Sequence, residues 1–163
     1  MKTASRVLLA GIGNTMRADD GAGPAVVSLV VEATRDQEHA WPEVVTTVSP
    51  EPMDLLLSWE SADLAIVVDA ARSGGHPGEV SVNWLDQAEP GPHDPFKPST
   101  HSLGVADVWQ IARLIGSGPR RCALVVIEGE DFSNGEGLSP RARAGVAEAT
   151  SVVIDLIDHI GVT

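Results

Sequence analysis

A chain of 163 residues, 43% hydrophobic and 21% charged, has the balance of an ordinary globular protein and reads as one domain, 1–163, with its own core. Its formal charge of −12 argues against nucleic acid and anionic membranes as partners, since both are polyanions, and favours cations or basic protein surfaces. The single cysteine, Cys122, excludes an intramolecular disulfide and fits a reducing compartment.

Lys2 and Arg6 precede a short apolar run that passes into "GIGNTMRADD" rather than a small-residue cleavage site, so it does not read as a secretory leader. No apolar run reaches membrane-spanning length; the expectation is a cytoplasmic protein. "RVLLAG" (6–11) is apolar at consecutive positions, the pattern of a strand buried on both faces. From Ala22 to about Gln37 apolar residues recur at helical spacing (Val26, Val27, Leu29, Val30), with Pro24 suited to a first turn. "EVVTTV" (43–48) is β-branched and strand-like, "PMDLLLSWE" (52–60) reads as a short helix, and "LAIVVDA" (64–70) as a second fully apolar strand. The link "ARSGGHPG" is too short for a helical crossover, so the next strand, "EVSVNWL" (79–85), is expected antiparallel, as a hairpin. Four prolines make 86–101 a loop. The spacing of Val105, Val108, Trp109, Ala112 and Leu114 or Ile115 predicts a helix over 102–116, and "RCALVVIEG" (121–129) is a further strand. Ser139 and Pro140 form the N-cap and first turn of a last helix whose inner side carries Ala142, Val146, Ala149, Val153, Leu156, Ile157 and Ile160. This alternation predicts a single-domain α/β three-layer sandwich: a twisted, mostly parallel sheet with one antiparallel hairpin strand and helices on both faces.

In open α/β sheets chemistry gathers outside the carboxyl ends of the strands. Asn14, Asp19 and Asp20 follow the first strand, and Ser49 and Glu51 the second. Asp69 ends the third, Glu128, Glu130 and Asp131 lie at or after the last, and His101 closes the proline-rich loop. Asp69 directly follows the apolar strand run "LAIVV", where a carboxylate is costly unless paired, hydrogen-bonded or bound to a cation. Read alone, Asp69 is equally an acceptor of backbone N–H groups, Asp20 a helix cap, and His101 a surface or capping histidine. Cys122, among apolar neighbours, reads as a buried structural thiol. Ser73, Ser102 and Ser133 lack a nucleophile-elbow setting. A dinucleotide loop needs a third glycine where this chain has Met16, and two carboxylates at a helix mouth repel pyrophosphate. By charge the loop suits a cation, and oxygen with imidazole ligands suits zinc, nickel or cobalt.

With these residues in hand, the chain resembles the hydrogenase maturation proteases, endopeptidases that trim the C-terminus of the nickel–iron hydrogenase large subunit. Four ordered segments carry the likeness: "GIGNTMRADDGAGPAVV", "LAIVVDA" with "GGHPGEV", "STHSLGVADV" and "GLSPRARAGVAEA". The resemblance implies a metal-gripping trio of Asp20, Asp69 and His101, with Asp20 or Asp69 also available as general base in an aspartyl-type cleavage. It implies contacts to the precursor from Gly13, Asn14, Ser49 and Glu51. It further implies no permanently bound cofactor: nickel arrives in the large-subunit precursor, and zinc or cadmium can occupy the same trio. Where relatives carry a "DGG"-like turn this chain has "TTVSPEPMDLL", and its "EGEDFSNGEG" is more acidic than the relatives' "QP" turn. A non-catalytic metal- or precursor-binding chaperone of the same fold is the alternative reading.

Overall fold

The computed structural model describes residues 5–36, 42–87 and 104–160. Strands β1 (Arg6–Ile12), β2 (Glu43–Ser49), β3 (Leu64–Ala71), β4 (Val80–Trp84) and β5 (Arg121–Glu128) form one sheet in the order β2-β1-β3-β5-β4. The apolar strands β1, β3 and β5 take its centre, and the two with fewer buried residues take the edges. That is the placement their composition demands, because a central strand must suit a core on both faces.

Helices α1 (Ala22–Thr34) and α4 (Pro140–Ile160) cover one face; α2 (Leu55–Ser58) and α3 (Val105–Leu114) cover the other. Alternation along each strand divides the apolar residues between them: Val7, Leu9, Ile66 and Val68 turn to α1 and α4, and Leu8, Ala10, Ala65 and Val67 to α2 and α3. A Cβ at Gly23 would lie 2.4 Å from the Val68 carbonyl oxygen, so only glycine lets the first turn of α1 rest on the backbone of β1 and β3. Ser139 caps α4 as expected, its Oγ accepting from the Ala142 N–H at 3.3 Å.

Two expectations change. β4 is antiparallel, but its partner is β5 rather than β3, and β5 lies between them; a short link fixes a strand's direction without fixing its neighbour. Leu29, Leu114 and Ile115 are exposed; α3 stops at Leu114, and Gly116, at φ +70°, turns the chain away. Residues 102 and 103 of the predicted helix, and most of the proline-rich loop, lie outside the described residues. Among the described residues no helix is long and apolar enough to cross a membrane.

The topology singles out one place on the sheet. From β1 the chain moves outward to β2, whereas from β3 onward it builds the opposite half. The crevice between the carboxyl ends of β1 and β3 is therefore the switch point, where open α/β sheets bind their ligands.

Candidate functional site

The loop after β1 delivers Asp20 to that crevice. Gly13, at φ +141°, donates its N–H to the Ser49 carbonyl at 2.9 Å, and a Cβ there would meet the Asp20 carbonyl oxygen at 1.8 Å. Only glycine lets the loop fold back this tightly. Asn14 forms an Asx turn, its Oδ1 accepting from the Met16 N–H at 2.9 Å, while its own N–H donates to Asp20 Oδ2 at 2.9 Å. Ala18 is buried at φ +47°, a left-handed conformation that costs on the order of 1 kcal/mol for a residue with a Cβ.

The adjacent aspartates have different surroundings. Asp19 is fully buried; its Oδ1 accepts from the Ser139 N–H at 2.7 Å, and its Oδ2 from Glu130 N–H at 2.9 Å, Asp131 N–H at 3.0 Å and Ser139 Oγ at 2.9 Å. Burial pushes its pKa up, but these donors outweigh that and hold it below the usual carboxylate range. Asp20 is half-buried. The helix-cap reading does not hold for it: α1 starts from Gly21 without a side-chain cap, and the carboxylate turns back to Asn14.

Asp69 ends the row Ala65, Val67, Asp69 on the face of α2 and α3. The 3-10 turn carrying Asp20 (Ala18–Gly21) packs against its strand. Burial raises the Asp69 pKa to about 7; a hydrogen bond from the Ala70 backbone opposes the shift, and the Asp20 charge adds to it. The structure thus brings Asp20 and Asp69 into electrostatic contact. His101 lies outside the described residues, and among those described no group of three His, Cys, Asp or Glu side chains converges as a metal site. Two carboxylates are hard oxygen donors suited to a divalent cation, but fewer than a closed site needs.

The other candidates hold the rim together. The Ser49 hydroxyl is within hydrogen-bonding reach of Asp54 Oδ2 and accepts from the Glu51 N–H at 3.1 Å, so it closes the turn after β2, and the Glu51 side chain is exposed. Glu128, 6% exposed, accepts from Ser73 N–H at 2.8 Å, Ser73 Oγ at 2.7 Å and Gly74 N–H at 3.0 Å, which fixes the β3–β4 link. Glu130 pairs with Arg141 at 3.8 Å, and Asp131 accepts from Ser133 Oγ at 2.6 Å. Ser102 lies outside the described residues. Cys122 is buried, its pKa raised by loss of hydration and by the nearby Asp86 charge, which makes it an inert thiol. The part played by Ser139 towards Asp19, 120 positions away, had no local signal in the sequence.

Beside Asp69, an open groove of about 280 Å³ extends towards β4. Ala71, two residues beyond Asp69 on the same face, and Val126, opposite Asp69 in register, both line it, together with Ser81, Asn83 and Glu128.

Comparison with known proteins shows a likeness that extends over most of the chain. A profile of the hydrogenase maturation protease family matches residues 36–156. The chain is 32% identical over 162 residues to the hydrogenase expression/formation protein HupD of Bradyrhizobium diazoefficiens, covering 98% of this chain and 81% of that protein. It is 27% identical over 159 residues to the hydrogenase 2 maturation protease of Escherichia coli, covering 96% and 93%. The structure of the hydrogenase-maturating endopeptidase HybD from E. coli superposes with a TM-score of 0.75 at 26% identity, covering 96% of this chain and 94% of that one.

Proposed function

Because the chain belongs to the hydrogenase maturation protease family, we propose that it is the endopeptidase that removes the C-terminal extension from a nickel–iron hydrogenase large-subunit precursor, and that it does so by gripping nickel already seated there. What supports this reading is the packing of the turn that carries Asp20 against the strand that ends in Asp69, beside the switch-point crevice.

Two carboxylates, joined by His101 as third ligand, make an incomplete set. Such a set binds a free ion weakly but can share one that another protein already holds, so metal loading becomes the condition for cutting. The nickel is part of the substrate, and zinc or cadmium would fit the same donors. Asp69, with a pKa of about 7, exchanges a proton readily near neutrality. That suits it to take a proton from water as general base, and Asp20 is the second carboxylate available for that role. The groove beside Asp69 gives an extended segment of the precursor a course past these groups. Gly13, Asn14, Ser49 and Glu51 border the crevice from the other side and are assigned to contact with the precursor. The proposed setting is the cytoplasm, with neither nucleic acid nor membrane as partner.

The test is to incubate the protein with purified large-subunit precursor, with and without nickel, and to measure product mass. A shorter product from the nickel-loaded precursor alone is the expected result. Cleavage that ignores nickel overturns the recognition mechanism, and a stable complex with no change in mass supports a non-catalytic chaperone instead.

A further inference from the structure

Asp19 and Asp20 are neighbours of identical chemistry with opposite surroundings. We propose that Asp19 is a positioning residue: clamped by the loop between β5 and α4, it sets the Asp20 carboxylate in the crevice. The assignment rests on the reading that Asp20 meets the precursor's metal.

Asp19 cannot itself reach a substrate. It is fully buried, and its two oxygens accept four hydrogen bonds, three of them on Oδ2. Every donor comes from one loop, residues 130–139, and none belongs to α1. The backbone joins the same clamp: Asp19 N–H donates to the Asp131 carbonyl at 2.9 Å, Ala18 N–H to Gly135 at 2.8 Å, and Gly135 N–H to Met16 at 2.8 Å. Gly129 makes room for it, since a Cβ there would lie 3.1 Å from Asp19 Cβ and 2.7 Å from the Phe132 ring.

The clamp acts at one point of a closed loop. Asn14 begins the loop and Asp20 ends it; the two meet through the Asn14 N–H on Asp20 Oδ2 at 2.9 Å, and the strained Ala18 lies between them. Strain of this kind persists only where the surroundings over-determine it. With Asp19 released, Ala18 can relax to an ordinary conformation, and the turn that aims Asp20 loosens. The labour is divided: Asp19 spends its lone pairs on the scaffold, whereas Asp20 gives one acceptor site to the Asn14 N–H and keeps the rest for the crevice. A buried carboxylate with four donors is a rigid mount, because each donor left unpaired would itself be costly.

The Asn14 N–H reports directly on the Asp20 carboxylate, so its hydrogen exchange tests the proposal without reference to activity. Asp19→Asn keeps the shape but turns an NH₂ towards donors. It should speed exchange at Asn14 by about ten- to a hundredfold, the range for a lost charge-assisted bond, and leave Leu9 in β1 protected. Ser139→Ala removes one donor and should do the same more weakly; Ser139→Thr, which restores a hydroxyl, should reverse it. Processing of nickel-loaded precursor should follow the same order in kcat, with KM little changed.

Should Asp19→Asn fail to fold, the Ala and Thr pair at position 139 decides alone. Unchanged exchange at Asn14 in Ser139→Ala, or acceleration of Asn14 and Leu9 together, overturns the proposal. Failure of the wild-type protein to process nickel-loaded precursor overturns the functional reading instead, and the exchange pattern still decides the role of Asp19.

Discussion

The two faces of the sheet are built differently from the same strands. On the side of α1 and α4, helices of 13 and 21 residues lie over rows that stay apolar to their ends, such as Leu64, Ile66, Val68 and Val125, Ile127. On the other side α2 and α3 have only 4 and 10 residues, and the rows beneath them change character: Ala65 and Val67 lead to Asp69, and Leu124 and Val126 to Glu128. A long helix covers a strand to its tip, whereas among the described residues the short ones leave the carboxyl end of β3 uncovered by helix. The face of α2 and α3 therefore carries the groove and the displaced Asp69 pKa in addition to its own core. Both faces bury an apolar core, but alternation along single strands places the carboxylates that end the rows on one of them.

The sharpest way to break this comparison is Asp69→Asn. On the functional reading it should reduce processing of nickel-loaded precursor about a thousandfold, or roughly 4 kcal/mol of transition-state stabilisation. It should also make the metal-free protein more stable, and the gain depends on pH. The unfolded chain releases the Asp69 proton near the ordinary carboxyl value of 3.8, whereas the folded protein holds it to about 7. Between those values folding takes up a proton, so wild-type stability falls as pH rises, and the loss is complete above the folded pKa. The variant lacks that slope: its advantage should be absent below about pH 4 and reach up to about 4 kcal/mol above pH 7. Denaturant melts with chelator across this range check the sign; an advantage that is largest in acid refutes it.

The opposite face should answer in the opposite way. Ile66 is fully buried under α1 and α4, and Ile66→Ala should cost about 2–5 kcal/mol of stability through the cavity it leaves. Processing per folded molecule should be unchanged below the melting transition. A selective loss of processing in a fully folded variant would show that the two faces are not separable. The smallest effect is expected at Leu114→Gln: this side chain is 86% exposed at the end of α3, and the change should move stability by less than about 0.5 kcal/mol. A larger loss by thermal melting would place Leu114 in the core after all.

What the sequence revealed follows the range of the forces involved. β1, β3 and β5 were legible because burial on both faces needs consecutive apolar residues, and the start of α4 because Ser139–Pro140 is a local signal. The neighbour of β4 was not, since its pairing with β5 joins segments some forty positions apart. Asp69 stood out as a charge at the end of an apolar run. Asp19 and Asp20 could not be told apart, because what separates them is a set of donors more than a hundred residues downstream. Ser49 was legible as a rim residue, but the claim of Asp54 and Glu51 on its hydroxyl was not.

The insertion of β5 between β3 and β4 sets the order in which the molecule can be completed. Until residues 121–128 leave the ribosome, β3 and β4 have been made but lack their common partner, and an apolar strand edge stays open. The half of the sheet that holds Asp69 therefore closes late in synthesis, and a nascent chain cut short before β5 would be prone to aggregate and would not be a partly active enzyme.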